Sequence, residues 1–406
     1  MYIVIADDLT GATDTGIQFE KRGIPTTVLV GPPEYPLHRQ ESDTALSVNA
    51  STRELGPQAA KQHTQSVCQQ LGIQNTDILF KKVDSLMRGN PPEELEAAME
   101  ATGRRIALAA PSFPAMGRTV EDGMLKLPDG TRKNLLELFR CRSSAAIRHI
   151  ALSDLRAMGR RLAASLSQES DPVICLFDAV TEQDLSLVAD IGQALEDVPI
   201  YCGSAALAAA LPIAPAAQPP IPRPKAHRIL VITGSRKQET ARQVQQLEEL
   251  YGIHTVRMDP AQLLEGSDTV GIRKAAQALT ILLQTEPGAI LTFDSLFCSQ
   301  TGFGDERLTD RQLGRQLSDM LGQVLELLNP SLYDGLILVG GDTAVAVCRS
   351  LQATKIRLLE EVQCGTPAGL MDDGPSMGLP IVTKSGAFGD ENTLVRAWNY
   401  LRREGT

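Results

Sequence analysis

At 406 residues the chain is too long for one ordinary hydrophobic core and implies about two domains. Its 43% hydrophobic and 22% charged residues are the composition of a soluble globular protein, and a formal net charge of −10 argues against a nucleic-acid binder, whose footprint is basic. An anionic small molecule stays compatible with that total, because local arginines and lysines can outvote it.

Tyr2-Ile3-Val4-Ile5-Ala6 is a continuous apolar run, the pattern of a strand buried on both faces of a parallel sheet. Asp7-Asp8-Leu9-Thr10-Gly11-Ala12 follows at once, which places two carboxylates at the sheet's carboxyl edge, where open α/β folds bind ligands. They either cap the helix expected around Thr13 to Lys21 or serve a site. Further strands are predicted at 25–30, 45–49, 78–82, 106–110, 173–178 and 199–202, with helices at 55–71, 155–167 and 182–196. Ser51-Thr52-Arg53 supplies an arginine just beyond the strand at 45–49. After the strand at 78–82, Asn90 and Glu93 make a capping pair with Pro91 at the first helical position. Lys82, Val83, Asp84, Ser85 and Arg88 are therefore expected on a short loop between a strand end and a helix start. Arginine there grips an acid and aspartate accepts from hydroxyls, a combination suited to a hydroxylated carboxylate. The alternative is a salt-bridged surface turn. Two other strand ends, Pro111 to Thr119 and Tyr201 to Leu207, read equally well as a turn and a small-residue helix entry.

Leu211 to Lys225 holds six prolines in fifteen residues, the composition of a semi-rigid extended spacer. Beyond it, strands are predicted at 229–233, 253–257, 289–293, 335–339 and 379–384, with helices at 236–250, 269–285, 308–328 and 343–351. Strand and helix in alternation predict βαβ units. The expected fold is α/β, with two domains, each a largely parallel sheet flanked by helices, joined by a proline-rich linker. The boundaries are 1–211 for a substrate-binding domain, 212–225 for the linker and 226–406 for a nucleotide-binding domain. Ser235 and Gln238 have capping-box spacing, so a helix N-terminus with free amides is expected there, a ready anion site. Gly340-Gly341-Asp342-Thr343 and Lys384-Ser385-Gly386 each follow an apolar strand, and paired glycines let backbone approach a phosphate closely. Together they predict a phosphate cradle. Neither a Walker A loop nor G-x-G-x-x-G is present.

Seven scattered cysteines, at 68, 141, 175, 202, 298, 348 and 364, form no Cys-x-x-Cys pair and predict reduced thiols. The five histidines show no ligand spacing, so a zinc site is not expected, and the metal ligands are left unassigned. The chain opens directly on a strand without a long apolar segment, and a cytoplasmic protein is expected. Neither a membrane nor a nucleic acid is an expected partner; a homo-oligomer is left open.

As an ordered set, these motifs resemble the four-carbon acid sugar kinases, a two-domain family that phosphorylates threonate, erythronate or an oxo-tetronate at the terminal hydroxyl using ATP. The likeness runs over nearly the whole chain. It implies a sugar-acid site in the N-terminal domain, with substrate contact at Asp7 or Asp8, Arg53 and Lys82 to Ser85. It implies nucleotide contact at Ser235, Gly340 to Thr343 and Gly386, with Lys384 beside them. Leu86-Met87 stands where Thr-Leu is common in the family, Asp342 where Glu is common and Ala387 where Asn is common. A carboxylate among Asp7, Asp8 and Asp84, foremost Asp8 or Asp84, is expected to orient or deprotonate the attacking hydroxyl, with magnesium bridging the phosphates. Arg53, Lys82 or Arg88 would hold the substrate carboxylate, and the linker would let the domains close over both ligands. D-threonate is the first substrate expectation, with D-erythronate and 3-oxo-tetronate as alternatives. Readings from other classes are a dinucleotide oxidoreductase, whose pyrophosphate Asp7 and Asp8 would repel, and a non-catalytic sugar-acid sensor.

Overall fold

The computed structural model describes residues 1–34, 36, 44–213, 222, 225–235, 237–260, 268–294, 310–386 and 388–403. The chain divides into two compact units, Met1–Gln218 and Pro219–Thr406. Most of the proline-rich spacer (214–221, 223 and 224), Arg236 and Ala387 lie outside the described residues.

Among the described residues, the main sheet of the first unit has eight strands, β1 (Tyr2–Ala6), β2 (Thr26–Leu29), β3 (Ala45–Asn49), β4 (Ile78–Lys82), β5 (Ile106–Ala110), and, beyond a small meander, β9 (Ala146–Ile150), β10 (Val173–Phe177) and β11 (Ile200–Gly203). They form an all-parallel sheet in the order β2-β3-β1-β4-β11-β5-β10-β9. Alternate residues of one strand enter two different cores: Ile3, Ile5 and Leu79 pack on one face, Val4 and Phe80 on the other. Both faces are thus apolar, which is why β1 reads as an unbroken hydrophobic run. Helices α1 (Leu9–Glu20), α2 (Pro57–Leu71), α3 (Pro91–Thr102), α4 (Leu135–Arg142), α7 (Glu182–Ala194) and α8 (Ala205–Ala210) accompany the strands. The helix expected at 155–167 is instead two short ones, α5 (Leu152–Met158) and α6 (Leu162–Leu166), separated by a tight turn at Gly159–Arg161.

An antiparallel meander, β6 (Thr119–Glu121), β7 (Met124–Lys126) and β8 (Arg132–Asn134), was not expected, nor was β9. Three-residue strands are too short to show a period. At the sheet's edge β9 pairs only with β10, so polar Arg148 and His149 are tolerated there.

In the second unit, β12 (Ile229–Thr233), β13 (His254–Met258), β14 (Gly288–Phe293), β15 (Gly335–Val339) and β18 (Pro380–Lys384) are parallel in the order β13-β14-β12-β15-β18. A hairpin of β16 (Lys355–Gln363) and β17 (Thr366–Met371) joins β18 antiparallel. That hairpin was also not foreseen, because KIRLLEEVQ is as polar as a surface helix. The helices are α9 (Gln238–Tyr251), α10 (Asp268–Thr285), α11 (Asp310–Glu326), α12 (Gly341–Ser350) and α13 (Thr393–Arg402). Among the described residues, no helix is long and apolar enough to cross a membrane.

Candidate active site

Sheet register assembles the first cluster. Ala6 pairs with Asn49 on one side and Lys82 on the other, so β1, β3 and β4 end at one level. The residues that follow, Asp7-Asp8, Ala50 to Arg53 and Val83 to Arg88, therefore meet at one edge. Arg53 donates from Nε to Asp7 Oδ2 at 2.7 Å and from Nη2 to Asp7 Oδ1 at 2.9 Å, a bidentate pair, and from Nη1 to Asp8 Oδ2. Asp8 also caps α1 by accepting from the Gly11 amide at 2.7 Å, so the capping and site readings are both satisfied. Asp84 is held by Arg88 through Nε at 2.6 Å and Nη2 at 3.0 Å. Ser85 is buried and accepts from Arg118 Nη1. Val83 differs: its side chain packs in the apolar core and its N–H donates to Gly203 O.

Lys82 is buried against this group, and its ammonium has no hydrogen-bond partner among the described residues. A Cβ on Gly11 would sit 2.8 Å from Asp8 Oδ1 and 3.1 Å from Lys82 Nζ, so cation and carboxylate line the same small space. Lys82 lowers the pKa of Asp7, Asp8 and Asp84 alike.

The carboxylates differ in basicity. Burial raises Asp7, but the Arg53 charge and hydrogen bonds win and hold it below the ordinary value. For Asp8, burial together with the Asp7 charge outweighs Arg53 and lifts the carboxyl above it. Asp84 lies well below: its burial is overcome by the Arg88 hydrogen bonds and the Arg53 charge.

Beneath the loop, Lys81 pairs with Glu94 at 2.7 Å, and Glu94 accepts from Thr52 Oγ1 at 2.8 Å. This fully buried pair ties α3 to the segment that carries Arg53. Burial opposes the Lys81 charge, yet Glu94 and Asp7 keep its pKa above the ordinary lysine value. The Asn90–Glu93 capping pair is not formed. Asn90 caps nothing; its amide donates to Leu55 O at 2.8 Å, while Arg142 draws both Glu93 and Asn90 Oδ1 to itself. Ser204, in contrast, does cap α8, which makes Tyr201 to Leu207 a helix entry.

The second cluster lies at the carboxyl edge of the other sheet. Gly340 precedes α12 with φ +106°, a conformation that favours glycine, and no side chain caps the helix. Gly341 and exposed Asp342 form its first turn with Thr343, whose Oγ1 accepts from Gly234 N at 3.2 Å. Gly386 closes against β12's end: a Cβ there would sit 2.7 Å from Ser235 Oγ. Ser235 does not cap α9, which begins after Lys237 without a side-chain cap. Its hydroxyl accepts from Lys237 N at 3.3 Å instead and lies 2.9 Å from Thr240 Oγ1. Lys384 donates to Ser385 O at 2.8 Å and Gly386 O at 3.2 Å, and burial pushes its pKa down to about 8 against the pull of Glu239. A cleft of about 780 Å³, lined in part by Ser235, Lys237, Arg242, Arg257 and Phe293, opens beside this edge. A helix start without a side-chain cap, near a buried lysine, has the chemistry that suits an anion.

Sequence reasoning missed Arg118, Lys133 and Thr240. Lys133 donates to Leu86 O at 2.7 Å, and Thr240 donates to Gly386 O at 2.7 Å. Arg118 stood inside a strand-end segment read as a turn. The other two had no local signal, since their partners lie 47 and 146 positions away.

Comparison with known proteins agrees with this division of chemistry. Residues 2–211 match a family model described as a sugar-binding N-terminal domain, and residues 230–394 match a nucleotide-binding C-terminal domain. The chain is 30% identical to a D-threonate kinase of Salmonella typhimurium, over 98% of both chains. With a D-erythronate kinase of Heliobacterium modesticaldum it shares 24%, over 98% of this chain and 96% of the other. A crystal structure of a Salmonella typhimurium protein, described as a putative tRNA synthase, superposes with a TM-score of 0.76 at 23% identity, covering 98% and 99% of the two chains. At that identity the likeness speaks for the fold. The chain belongs to the four-carbon acid sugar kinase family and is a phosphotransferase.

Proposed function

We propose that the protein transfers the γ-phosphoryl group of ATP to the 4-hydroxyl of D-threonate, releasing ADP. The observation that carries this reading is Lys82, a side chain only 5% exposed whose ammonium makes no hydrogen bond to a described residue and acts electrostatically on Asp7, Asp8 and Asp84. Lys82 then grips the substrate carboxylate with Arg53 and Ser85 adjoining. Asp84, fixed by Arg88, accepts from substrate hydroxyls. Asp8 is the general base, because its raised pKa makes it the better proton acceptor of the three. As the hydroxyl oxygen bonds phosphorus, the bond to the bridging oxygen breaks, ADP leaves with that electron pair and Asp8 takes the hydroxyl proton.

Ser235, Gly340, Gly341, Thr343, Lys384 and Gly386 are assigned to the phosphates of ATP. Magnesium, the usual companion of ATP, neutralises phosphate charge and needs only one or two protein carboxylates besides those phosphates. Asp342, in the first turn of α12, has the oxygen chemistry to hold it; among the described residues no group of three or more ligating side chains is present. D-threonate is preferred to D-erythronate because the D-threonate kinase is the more similar of the two relatives. Use of ATP places the protein in the cytoplasm under this proposal. Coupled ADP release, run with magnesium and a panel of D-threonate, D-erythronate and 3-oxo-tetronate, tests the reading. Acid-dependent turnover, fastest with D-threonate, is expected; equal ADP release with the acid omitted refutes it.

A further inference from the structure

Arg118 reaches the substrate loop from a separate element. It follows the tight turn Pro114–Met116, and its backbone is pinned to Phe113 by two hydrogen bonds, Phe113 N to Arg118 O at 2.7 Å and Arg118 N to Phe113 O at 3.1 Å. From that fixed base the guanidinium donates through Nη1 to Ser85 Oγ. Ser85 is only 6% exposed and has no other side-chain hydrogen bond among the described residues. A hydroxyl that accepts from a guanidinium, which has no acceptor atom, keeps its own proton to give elsewhere. The neighbouring arginines are committed differently: Arg53 forks onto Asp7 and also bonds Asp8, while Arg88 forks onto Asp84. Asp84, Arg88 and Asp14 all act electrostatically on Arg118, so its charge belongs to the site.

We propose that Arg118 is a positioning residue for sugar-acid recognition: by occupying one of the two Ser85 acceptor lone pairs it orients the Ser85 hydroxyl so that its proton points away from Arg118, toward the substrate carboxylate. Selectivity for an acid over the corresponding neutral sugar alcohol follows. An unoriented serine donates or accepts with equal ease, whereas one backed by a guanidinium cannot donate in that direction and has one lone pair fewer to offer, which favours an acceptor-only carboxylate as its other partner. The inference rests on the kinase reading above.

The test uses the full chain and four variants: Arg118→Met, Arg118→Lys, Ser85→Ala and the Arg118→Met/Ser85→Ala double. KM is measured for D-threonate and D-erythronate at saturating ATP, and for ATP at saturating acid, with a melting temperature for each variant. Arg118→Met is expected to raise the acid KM about tenfold or more, the scale of a hydrogen bond involving a charged group. The ATP KM stays parental, Arg118→Lys recovers part of the loss, and the double variant is no worse than the poorer single one. Equal rises in acid and ATP KM, a parental acid KM, or strictly additive effects overturn the role of Arg118. Should Arg118→Met fail to fold, Arg118→Lys and Ser85→Ala decide, and a parental acid KM in Ser85→Ala is refuting. Wild-type protein inert toward both acids refutes the D-threonate reading on which this inference rests, and the role of Arg118 falls with it.

Discussion

Replacing Lys82 with methionine separates a ligand-binding ammonium from a structural one. Methionine keeps a long flexible apolar stem, so the packing that buries Lys82 is largely preserved. The ammonium makes no hydrogen bond to any described residue, so no internal donor is lost. If it grips the substrate carboxylate, its removal forfeits a charged hydrogen bond worth ~1.5–3 kcal/mol, which weakens acid binding by about 10–150-fold. A second effect has a definite sign. Lys82 lowers the pKa of Asp7, Asp8 and Asp84, so each must rise when it is removed. Asp8 works as a base only when unprotonated, and the rate therefore falls as pH drops through its pKa. In Lys82→Met that acidic limb must move to higher pH. Calorimetric titration with D-threonate reads the first effect, and kcat/KM against pH at saturating ATP reads the second. A folded variant that binds the acid as the parent does removes Lys82 from the site, and an acidic limb displaced to lower pH refutes the electrostatic argument.

Two further outcomes follow from buried charges. Lys384, with its pKa pushed down to about 8, is protonated below that pH and loses its charge above it. ADP affinity should accordingly fall as pH rises through this value and become flat in Lys384→Met; titration calorimetry at a series of pH values checks it, and an unchanged slope in the variant refutes it. Glu94→Gln strips the fully buried Lys81 of its counter-charge while keeping an acceptor for Thr52, and should cost ~3–5 kcal/mol. The double variant Lys81→Met/Glu94→Leu should recover most of that loss in a denaturant titration, and a Glu94→Gln protein as stable as the parent refutes the pairing.

What the sequence discloses depends on how many faces an element buries. Strands β1, β3, β4 and β5 are covered on both sides, so hydrophobicity alone marks them. Arg148 and His149 in β9, and the charged residues of β16, leave no such run. The candidate residues at strand ends stood out for a related reason, since charge directly after a buried strand is conspicuous. Their partners were not. Arg53 reaches Asp7 across 46 positions because β1 and β3 are in register at Ala6 and Asn49, and register is a property of the sheet. Capping signals misled where another partner competed, distant for Asn90 and Glu93, whose oxygens accept from Arg142, and local for Ser235, which accepts from Lys237 N and Thr240 Oγ1.

The two sheets end in different chemistry, and under the proposed function that contrast would separate the ligands. Around β1, β3 and β4 the edge is built from long charged side chains in interlocking pairs, with Asp7 and Asp8 beside a helix start. Carboxylates in that position repel a polyphosphate and claim the positive end of the helix for themselves. A small polyhydroxy acid, as proposed above, would still be accepted, its hydroxyls satisfying the carboxylates and its own charge meeting Lys82. Around β12, β15 and β18 the edge is rich in glycine and backbone, with no side chain capping α12, and includes Lys384, whose ionisation is weakened by burial. Amides there suit an extended chain of phosphates, and they supply little that would discriminate among small sugar acids. Under the proposed function, each edge would thus disfavour the other's ligand by the same features that suit its own.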